Sequence, residues 1–271
     1  MTTNEKELKG LFYNIYNGGG PRLDAIAKFV RKKDYSFVAF SELNAFTEKS
    51  FAEWAALKLE LKYAEFLETP HGFHLGIASR YKIKLIKHET GYPFHHGYIL
   101  ARIEELEICL LVTHLCPFTA VQRLEEANEL IKALSLLNVI TKPLMLVGDL
   151  NTLSCRDDIS DDSMQLLAKN ARLKKKFLKD ENDGHLSVDI RPMETLLQEL
   201  IDIGMPNDYS VPTNLLEDKM HATEMRLDYC LISKALFNAC HGQVHSKMIK
   251  SAETAELSDH YPVEIFLKIN E

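Results

Sequence analysis

Residues 144–152 of the chain read Leu-Met-Leu-Val-Gly-Asp-Leu-Asn-Thr. The first four form a short, continuous apolar run, which is typical of a β-strand that is buried on both faces. Two polar residues, Asp149 and Asn151, follow where the apolar run ends. Functional side chains commonly lie at such strand ends, because a rigid scaffold holds the loops there. The stretch therefore predicts a buried strand with a candidate site at its carboxyl end.

Other segments of the chain carry comparable patterns. Short β-rich runs bounded by turn residues predict further strands; they are 8–16, 37–40, 75–79, 83–88, 98–103, 106–115, 227–232, 243–249 and 263–269. Apolar residues at helical spacing predict helices over 23–30, 51–61, 124–134, 164–178 and 193–203. Many strands with a few long helices between them predict an α/β fold, in which two packed sheets carry helices on their outer faces.

We expect a single domain over residues 1–271. The sequence has no repeat, no low-complexity tract and no linker rich in Pro, Gly or Ser, and its 271 residues fit one large domain. The stretch 160–189 is charged and low in β-branched residues, so we expect a helical insertion there, placed at about residues 155–203. Its basic cluster, Lys174–Lys176 with Arg172 and Lys179 nearby, has the pattern of a solvated helix face.

The composition narrows the class of protein. A net charge of −7 disfavours tight, non-specific binding to a nucleic-acid backbone but allows a local basic cleft. The five cysteines are odd in number and none is spaced as C-x-x-C, which indicates reduced thiols. Residues 1–9 are polar, and no apolar run approaches the roughly 20 residues that span a bilayer. We therefore expect an intracellular, cytoplasmic protein with no membrane span.

Polar side chains also stand at the ends of other predicted strands. They are Asn14 in Phe-Tyr-Asn-Ile, Glu42 in Ser-Glu-Leu-Asn, His114 in Val-Thr-His-Leu, Asp228 in Arg-Leu-Asp-Tyr, and Asp259 with His260 in Ser-Asp-His-Tyr. With Asp149 and Asn151 they supply carboxylates, carboxamides and imidazoles. Such oxygen-rich ligands suit Mg²⁺ or Mn²⁺ rather than Zn²⁺. No serine or cysteine nucleophile stands out, so the set predicts metal-assisted attack of water on a phosphate ester.

In this order the motifs resemble those of the endonuclease/exonuclease/phosphatase (DNase I-like) superfamily. The resemblance runs from Leu11 to Val263, and the six motifs together are far more specific than any one alone. It implies a four-layered α/β/β/α sandwich of two mixed sheets with helices outside. It also implies a metal-dependent phosphoester hydrolase, with Mg²⁺ or Mn²⁺ as the cofactor.

The resemblance assigns a role to each catalytic candidate. Asp149 resembles the residue that orients or deprotonates the attacking water, and Asn151 resembles the one that contacts the phosphate. His260 resembles the phosphate-contacting histidine, held in its tautomer by Asp228. His114 resembles a second histidine found in some members.

The resemblance also implies the metal ligands. Glu42 resembles the main metal-binding carboxylate, with Asn14 and Asp259 beside the metal. Three arginines have the planar donor fork that suits a substrate phosphate; they are Arg80, Arg123 and Arg226.

Alternatives stay open at this point. Nucleic acid is the leading substrate class, and a small-molecule or lipid-headgroup phosphoester is the alternative. A catalytically inactive binding module on this fold would have lost at least one of these residues. Gly18–Gly20 predicts a plain flexible loop near the site. The pair His95-His96, and His71 with His74, have the pattern of surface or loop histidines, and we leave them out of the metal site.

Overall fold

The computed structural model describes residues 5–215 and 221–270 of the chain. In chain order the strands are β1 (Glu5–Asn14), β2 (Phe37–Ser41), β3 (Tyr63–Leu67), β4 (Leu75–Ser79), β5 (Ile83–Glu89), β6 (Tyr98–Ile103), β7 (Ile108–His114), β8 (Leu144–Asp149), β9 (Leu178–Asp180), β10 (Leu186–Val188), β11 (Leu200–Asp202), β12 (Asp228–Ser233), β13 (Val244–Met248) and β14 (Val263–Asn270). The α-helices are α1 (Leu23–Lys32), α2 (Glu48–Trp54), α3 (Ala120–Leu136), α4 (Asp161–Lys169), α5 (Ala171–Phe177), α6 (Arg191–Leu197) and α7 (Lys234–Ala239). Short 3₁₀ turns cover Gly20–Arg22, Glu104–Leu106 and Thr254–Glu256.

Two mixed six-stranded sheets form the centre of the fold. The first has the order β13-β14-β1-β2-β4-β3 and the second the order β11-β12-β8-β7-β6-β5. Each sheet holds one parallel pair, β1 with β2 and β7 with β8, and its other pairings are antiparallel. Each parallel pair therefore brings two strand ends together at one edge of its sheet.

The sheets pack face to face, and helices cover their outer faces. On β8, Met145 and Val147 point into the core between the sheets, whereas Leu144 and Leu146 pack with residues of α3 and α6. A second outer core joins the first sheet to α1 and α2, and it contains Phe51, Trp54 and Phe66. The α/β/β/α sandwich and the double-sided burial of β8 agree with the sequence prediction.

The glycine of the opening motif is required by close packing of β7 and β8. A Cβ atom on Gly148 would lie 2.2 Å from the carbonyl oxygen of Thr113, a distance at which something must shift. With hydrogen there instead, the two strands stay in register through His114 and Asp149, which stand side by side. The glycine thus allows these two side chains to emerge together.

Several predicted elements differ from the observed ones. The predicted helix 164–178 is two helices, because Asn170 lies in extended backbone and its side chain accepts hydrogen bonds from Arg172 N and Leu173 N. The predicted helix 193–203 ends at Leu197, and Leu200–Asp202 pairs with β12 instead. The helix predicted over 51–61 begins at Glu48 and ends as the π-helical turn Ala55–Leu59. Strand β3 was not predicted.

The region around 155–203 combines helices with strands. Besides α4, α5 and α6 it holds the β9–β10 hairpin, which contradicts a purely helical insertion. A local core that includes Leu167, Leu173 and Phe177 packs this region against Leu153 and Leu227. That residues 1–271 form one domain stays a prediction. In the ranges 5–215 and 221–270, no helix combines the length and apolar character needed to cross a membrane.

Candidate active site

The edge where the parallel strands end gathers the polar residues named from the sequence. Asn14 closes β1, and Glu42 follows β2 directly. His114 closes β7 and Asp149 closes β8, and on the other side of Asp149 its antiparallel partner is Asp228. Both sheets thus contribute side chains to one cluster, since their parallel pairs end at the same place.

The amide of Asn14 joins the two sheets within this cluster. Its Nδ2 donates to Glu42 Oε1 at 3.1 Å and to Asp149 Oδ2 at 3.2 Å. Its Oδ1 accepts a hydrogen bond from Tyr16 N at 3.1 Å. A hydrogen-bonded carboxamide between two carboxylates fixes the separation of the two acids without adding charge.

Glu42 is held by the loop that follows β1. Its backbone has a φ of 59°, a left-handed conformation that is uncommon for a residue with a side chain. Asn17 N donates to Glu42 Oε2 at 3.0 Å, and Gly18 N donates to the Glu42 carbonyl at 2.7 Å. Gly18 has a φ of 70°, and a Cβ there would lie 2.1 Å from the Asn44 carbonyl oxygen. The loop predicted as merely flexible therefore positions Glu42.

Glu42 and Asp259 form a pair of acidic side chains that repel each other. Burial, followed by repulsion from Asp259, raises the pKa of Glu42 to about 7 despite the hydrogen bonds from Asn17 and Asn14. Burial also raises the pKa of Asp259. Two desolvated carboxylates with raised pKa values favour a bound cation, which would stabilise both in the charged form. The two carboxylates fit a hard divalent ion, whereas Asn14 turns its Nδ2 rather than its oxygen towards Glu42.

His260 and Asp228 form a buried ion pair. His260 Nδ1 lies 2.6 Å from Asp228 Oδ2, and His260 Nε2 lies 3.8 Å from Asp149 Oδ2. Burial alone would lower the pKa of His260, but the charges of Asp228 and Asp149 outweigh burial and raise it to about 10. The imidazole is therefore cationic near neutral pH, with Nε2 turned towards the side of Asp149.

His114 contacts the same carboxylate, that of Asp149, but its imidazole is neutral. Its Nε2 is 3.4 Å from Asp149 Oδ2. Burial and then the positive charge of His260 lower the pKa of His114 to about 3. The ring of His96 packs against it, with centroids 4.4 Å apart. Asp149 thus lies between a neutral and a charged imidazole.

Asn151 turns the chain out of β8. Its backbone has a φ of 49°, its N–H donates to Asp149 Oδ1 at 3.0 Å, and its Nδ2 donates to the Leu115 carbonyl at 3.1 Å. The bond to Asp149 Oδ1 is an Asx turn made by the Asp149 side chain, and the bond to Leu115 ties Asn151 to the end of β7. The side chain also lines the cleft, so the turn and a contact with substrate are compatible.

The three arginines that the sequence suggests as phosphate ligands, Arg80, Arg123 and Arg226, do not line the cleft. Arg80 pairs with Asp34 on the surface. Arg226 is buried between Asp157 and Asp202, at 2.9 and 2.8 Å. The prediction that these guanidinium groups bind substrate phosphate is corrected accordingly, because carboxylates of the protein already occupy both.

The side chain of Arg123 also binds groups of the protein itself. Glu126, one turn later on α3, does the same. The Arg123 guanidinium donates to the Cys116 carbonyl at 2.9 Å and to the carbonyl of Lys176. The carboxylate of Glu126 accepts from His95 N and Cys116 N, each at 2.7 Å. Both side chains are buried. Together they hold three backbone segments that border the cleft.

The cleft above these residues has a volume of about 560 Å³. Its lining includes Glu42, His114, Asp149, Asn151, Asp259 and His260, together with residues that the sequence did not assign to the site: Phe73, His95, Pro117, Phe118, Arg172, Lys175, Lys176 and His221. Three of these belong to the basic cluster predicted as a solvated helix face. Arg172 and Lys175 are exposed as predicted, although they line the cleft, and the prediction is wrong for Lys176, which is buried. The sequence pattern of His95 predicts a surface or loop histidine, and no sequence motif marks His221.

His221 joins the acidic end of the cleft. Its Nδ1 lies 4.0 Å from Asp259 Oδ2, and its ring centroid lies 5.1 Å from that of His260. Within the described ranges, two sets of side chains have ligand atoms close enough to share a cation: His221, Asp259 and His260 form one, and Asp149, Asp228 and His260 form the other. His260 belongs to both sets, so the whole cluster is compact.

A model of the Endonuclease/Exonuclease/phosphatase family matches residues 11–260. No curated protein matches the chain by sequence. The fold is similar to that of an AP endonuclease from Archaeoglobus fulgidus (17% identity, TM-score 0.67, covering 96% of this chain and 99% of that one). It is also similar to truncated TDP2 from Caenorhabditis elegans (14% identity, TM-score 0.56, covering 96% of this chain and 97% of that one). A third similar structure is a mannosyl-6-phosphatase from Bacteroides thetaiotaomicron (15% identity, TM-score 0.55, covering 96% of this chain and 99% of that one). At these identities the solved structures support the sandwich fold.

Proposed function

Since the chain belongs to the endonuclease/exonuclease/phosphatase family and is therefore a phosphoester hydrolase, we propose that it is a Mg²⁺-dependent phosphodiesterase that uses water as the nucleophile and acts on nucleic-acid phosphodiesters. One observation carries the proposal. The cationic His260, paired with Asp228, lies across Asp149 from the neutral His114, and the acidic pair Glu42–Asp259 adjoins them.

Glu42 and Asp259 are the residues that would hold the cation, with Asn14 beside it donating to Glu42 Oε1. A bound divalent ion would neutralise these carboxylates and polarise a phosphoryl oxygen of the substrate. Mg²⁺ is the proposed ion because the donors are oxygens, which it prefers. Asn17 and Gly18 keep Glu42 in place for this purpose.

Asp149 is proposed to orient the attacking water and to accept its proton. The carboxylate is held by Asn14 Nδ2 and Asn151 N, so one geometry is favoured before substrate binds. His260 carries positive charge that would stabilise the phosphoryl group as negative charge develops on it. Asp228 keeps that charge on the ring and fixes the ring orientation through Nδ1. His114 is proposed as a neutral hydrogen-bonding partner on the other side.

The substrate class is supported by the rim of the cleft. Phe73, His95 and Phe118 offer ring faces or edges, and Phe118 is 56% exposed. Aromatic side chains beside cationic ones are a frequent arrangement for single-stranded nucleic acid. The net charge of −7 is compatible with such binding, since Arg172, Lys175 and Lys176 supply local positive charge in the cleft. The related folds include an endonuclease and a sugar phosphatase, so the substrate has to be measured.

The first test is hydrolysis of bis-p-nitrophenyl phosphate with Mg²⁺ or Mn²⁺. We expect turnover that EDTA abolishes and that Asp259→Ala lowers strongly. Turnover indifferent to both would reject the mechanism. A product assay on DNA, RNA, oligo(A), inositol polyphosphates and sphingomyelin then tests the substrate class. Cleavage confined to a phosphomonoester or a lipid headgroup would contradict the nucleic-acid assignment, and no cleavage of any substrate would indicate a binding module.

A further inference from the structure

One side of the cleft is lined by three cations from a single helix. Arg172, Lys175 and Lys176 of α5 all line the cleft, and we call them the basic wall. Their spacing of three and four residues puts them on one helix face, because a helix turns once in 3.6 residues. Lys174 falls outside that face, bridges to Asp180 at 3.2 Å and does not line the cleft.

The basic wall is fixed in place by buried contacts. The Asn170 side chain caps the first turn of α5, and Leu173 and Phe177 are buried in the local core. At the other end, Arg123 donates to the carbonyl of Lys176. A short helix anchored at both ends presents its cations with little loss of backbone conformational entropy when a ligand binds.

The charge of the basic wall reaches the catalytic residues. Lys176 is only 4% exposed, and its positive charge contributes to lowering the pKa of both His114 and His221. Arg172 and Lys175 are exposed at the mouth of the same cleft. The wall thus places one cation near the catalytic cluster and two at the mouth of the cleft.

The proposed chemistry leaves these cations without a role. The scissile phosphate would be served by His260 and by the cation held at Glu42 and Asp259. In a chain with a net charge of −7, concentrated positive charge beside an active site attracts a further negative group. Arginine and lysine are the side chains that bind phosphate oxygens most strongly.

We propose that the basic wall is a second phosphate subsite, which binds a phosphate of the substrate adjacent to the scissile one. The proposal rests on the proposed function, since it assumes that a phosphoester is cut at the catalytic cluster. A nucleic-acid strand carries such a neighbouring phosphate on every internal nucleotide. The cleft volume of about 560 Å³ lies in the range of pockets that enclose small ligands, so a dinucleotide-sized segment is the expected occupant.

The test compares two chromogenic esters that differ by one phosphate: thymidine 5′-(p-nitrophenyl phosphate) and the same compound phosphorylated at the 3′ oxygen. We expect wild-type kcat/KM to be higher for the bisphosphate ester by on the order of tenfold, as one charge-assisted contact provides. Arg172→Ala and Lys175→Ala should lose much more rate on the bisphosphate ester than on the single phosphate ester. Lys174→Ala, an identical charge change on the same helix, should keep the wild-type ratio.

A ratio near one in wild type, or an equal loss on both esters in the wall variants, would overturn the subsite. If neither ester is hydrolysed, the proposed function fails separately, and calorimetry decides on the subsite. Tighter binding of thymidine 3′,5′-bisphosphate than of thymidine 5′-monophosphate, lost in the Arg172→Ala/Lys175→Ala double variant, supports it; equal affinities contradict it. Competition by oligothymidylate and by inositol bisphosphate then tells whether a strand or a small molecule supplies the second phosphate.

Discussion

The catalytic cluster and the basic wall of the cleft are held by different kinds of contact. We call the catalytic cluster the floor; it comprises Asn14, Glu42, His114, Asp149, Asp228, Asp259 and His260. On the floor the side chains themselves are fixed: Asn14 bridges Glu42 and Asp149, and Asp228 holds His260. At the wall the backbone is fixed instead, through Arg123 and the buried residues of α5, while the charged ends of Arg172 and Lys175 reach solvent. Chemistry needs preorganised groups, whereas selectivity can change through exposed side chains on a fixed backbone.

The largest effect on turnover is expected when a floor residue is removed. His260→Ala and Asp149→Ala should each lower turnover by about a hundredfold or more, because each removes an electrostatic or acid–base group. Asp228→Asn should also move the high-pH fall in rate to lower pH, because His260 would lose the charge that raises its pKa to about 10. The pH–rate profile measures this, with Lys174→Ala as control. An unmoved profile would mean that His260 does not act as a cation.

A second floor substitution separates metal binding from turnover. Glu42→Gln should raise the Mg²⁺ concentration for half-maximal activity by on the order of tenfold or more, since a charged ligand is replaced by a neutral one. Wild-type affinity should improve as pH rises through about 7, where Glu42 loses its proton. Titrations at several pH values test both points. A midpoint equal to that of wild type would contradict the role of Glu42.

Arg123 tests the basic wall, because its guanidinium donates to the carbonyl of Lys176 at the end of α5. Arg123→Ala leaves two buried carbonyls without their donor, and we expect a loss of about 3 kcal/mol in the free energy of unfolding. Arg123→Lys should restore part of it. If urea unfolding shows a loss of less than about 0.5 kcal/mol in the free energy of unfolding, the hydrogen bonds of Arg123 do not stabilise the fold. Turnover of the single phosphate ester should fall less than in His260→Ala.

The smallest expected effect is on the stability of the metal-free protein. Glu42 has a folded pKa raised to about 7, so its contribution is full below the unfolded value of about 4.5 and is lost as pH rises through 7. The buried Glu126, whose pKa is also raised to about 7, acts in the same direction. With EDTA the unfolding free energy of the wild type, relative to that of Glu42→Gln, should therefore fall from pH 5 to pH 8 by on the order of 1 kcal/mol. A slope unchanged by Glu42→Gln would contradict the raised pKa.

The floor residues could be predicted from the sequence because the signal that marks them is local. Asp149 and Glu42 follow apolar strands directly, and parallel strands bring such positions to one edge, so pattern and topology coincide. The wall has no comparable signal. Periodicity gives the face of α5 that holds Lys175, but which surface this face meets depends on packing of the whole fold. Likewise Arg226 has the chemistry of a phosphate ligand, and only the fold brings Asp157 to it from 69 residues away.

The central claim is that the floor residues surround one hard divalent cation. Crystals grown with Mn²⁺ and measured at the manganese absorption edge test it most directly. We expect one anomalous peak in the cleft, with carboxylate oxygens of Glu42 and Asp259 within about 2.3 Å of it. A cleft without a peak at saturating Mn²⁺, or a peak held elsewhere while both carboxylates stay unligated, would contradict the claim.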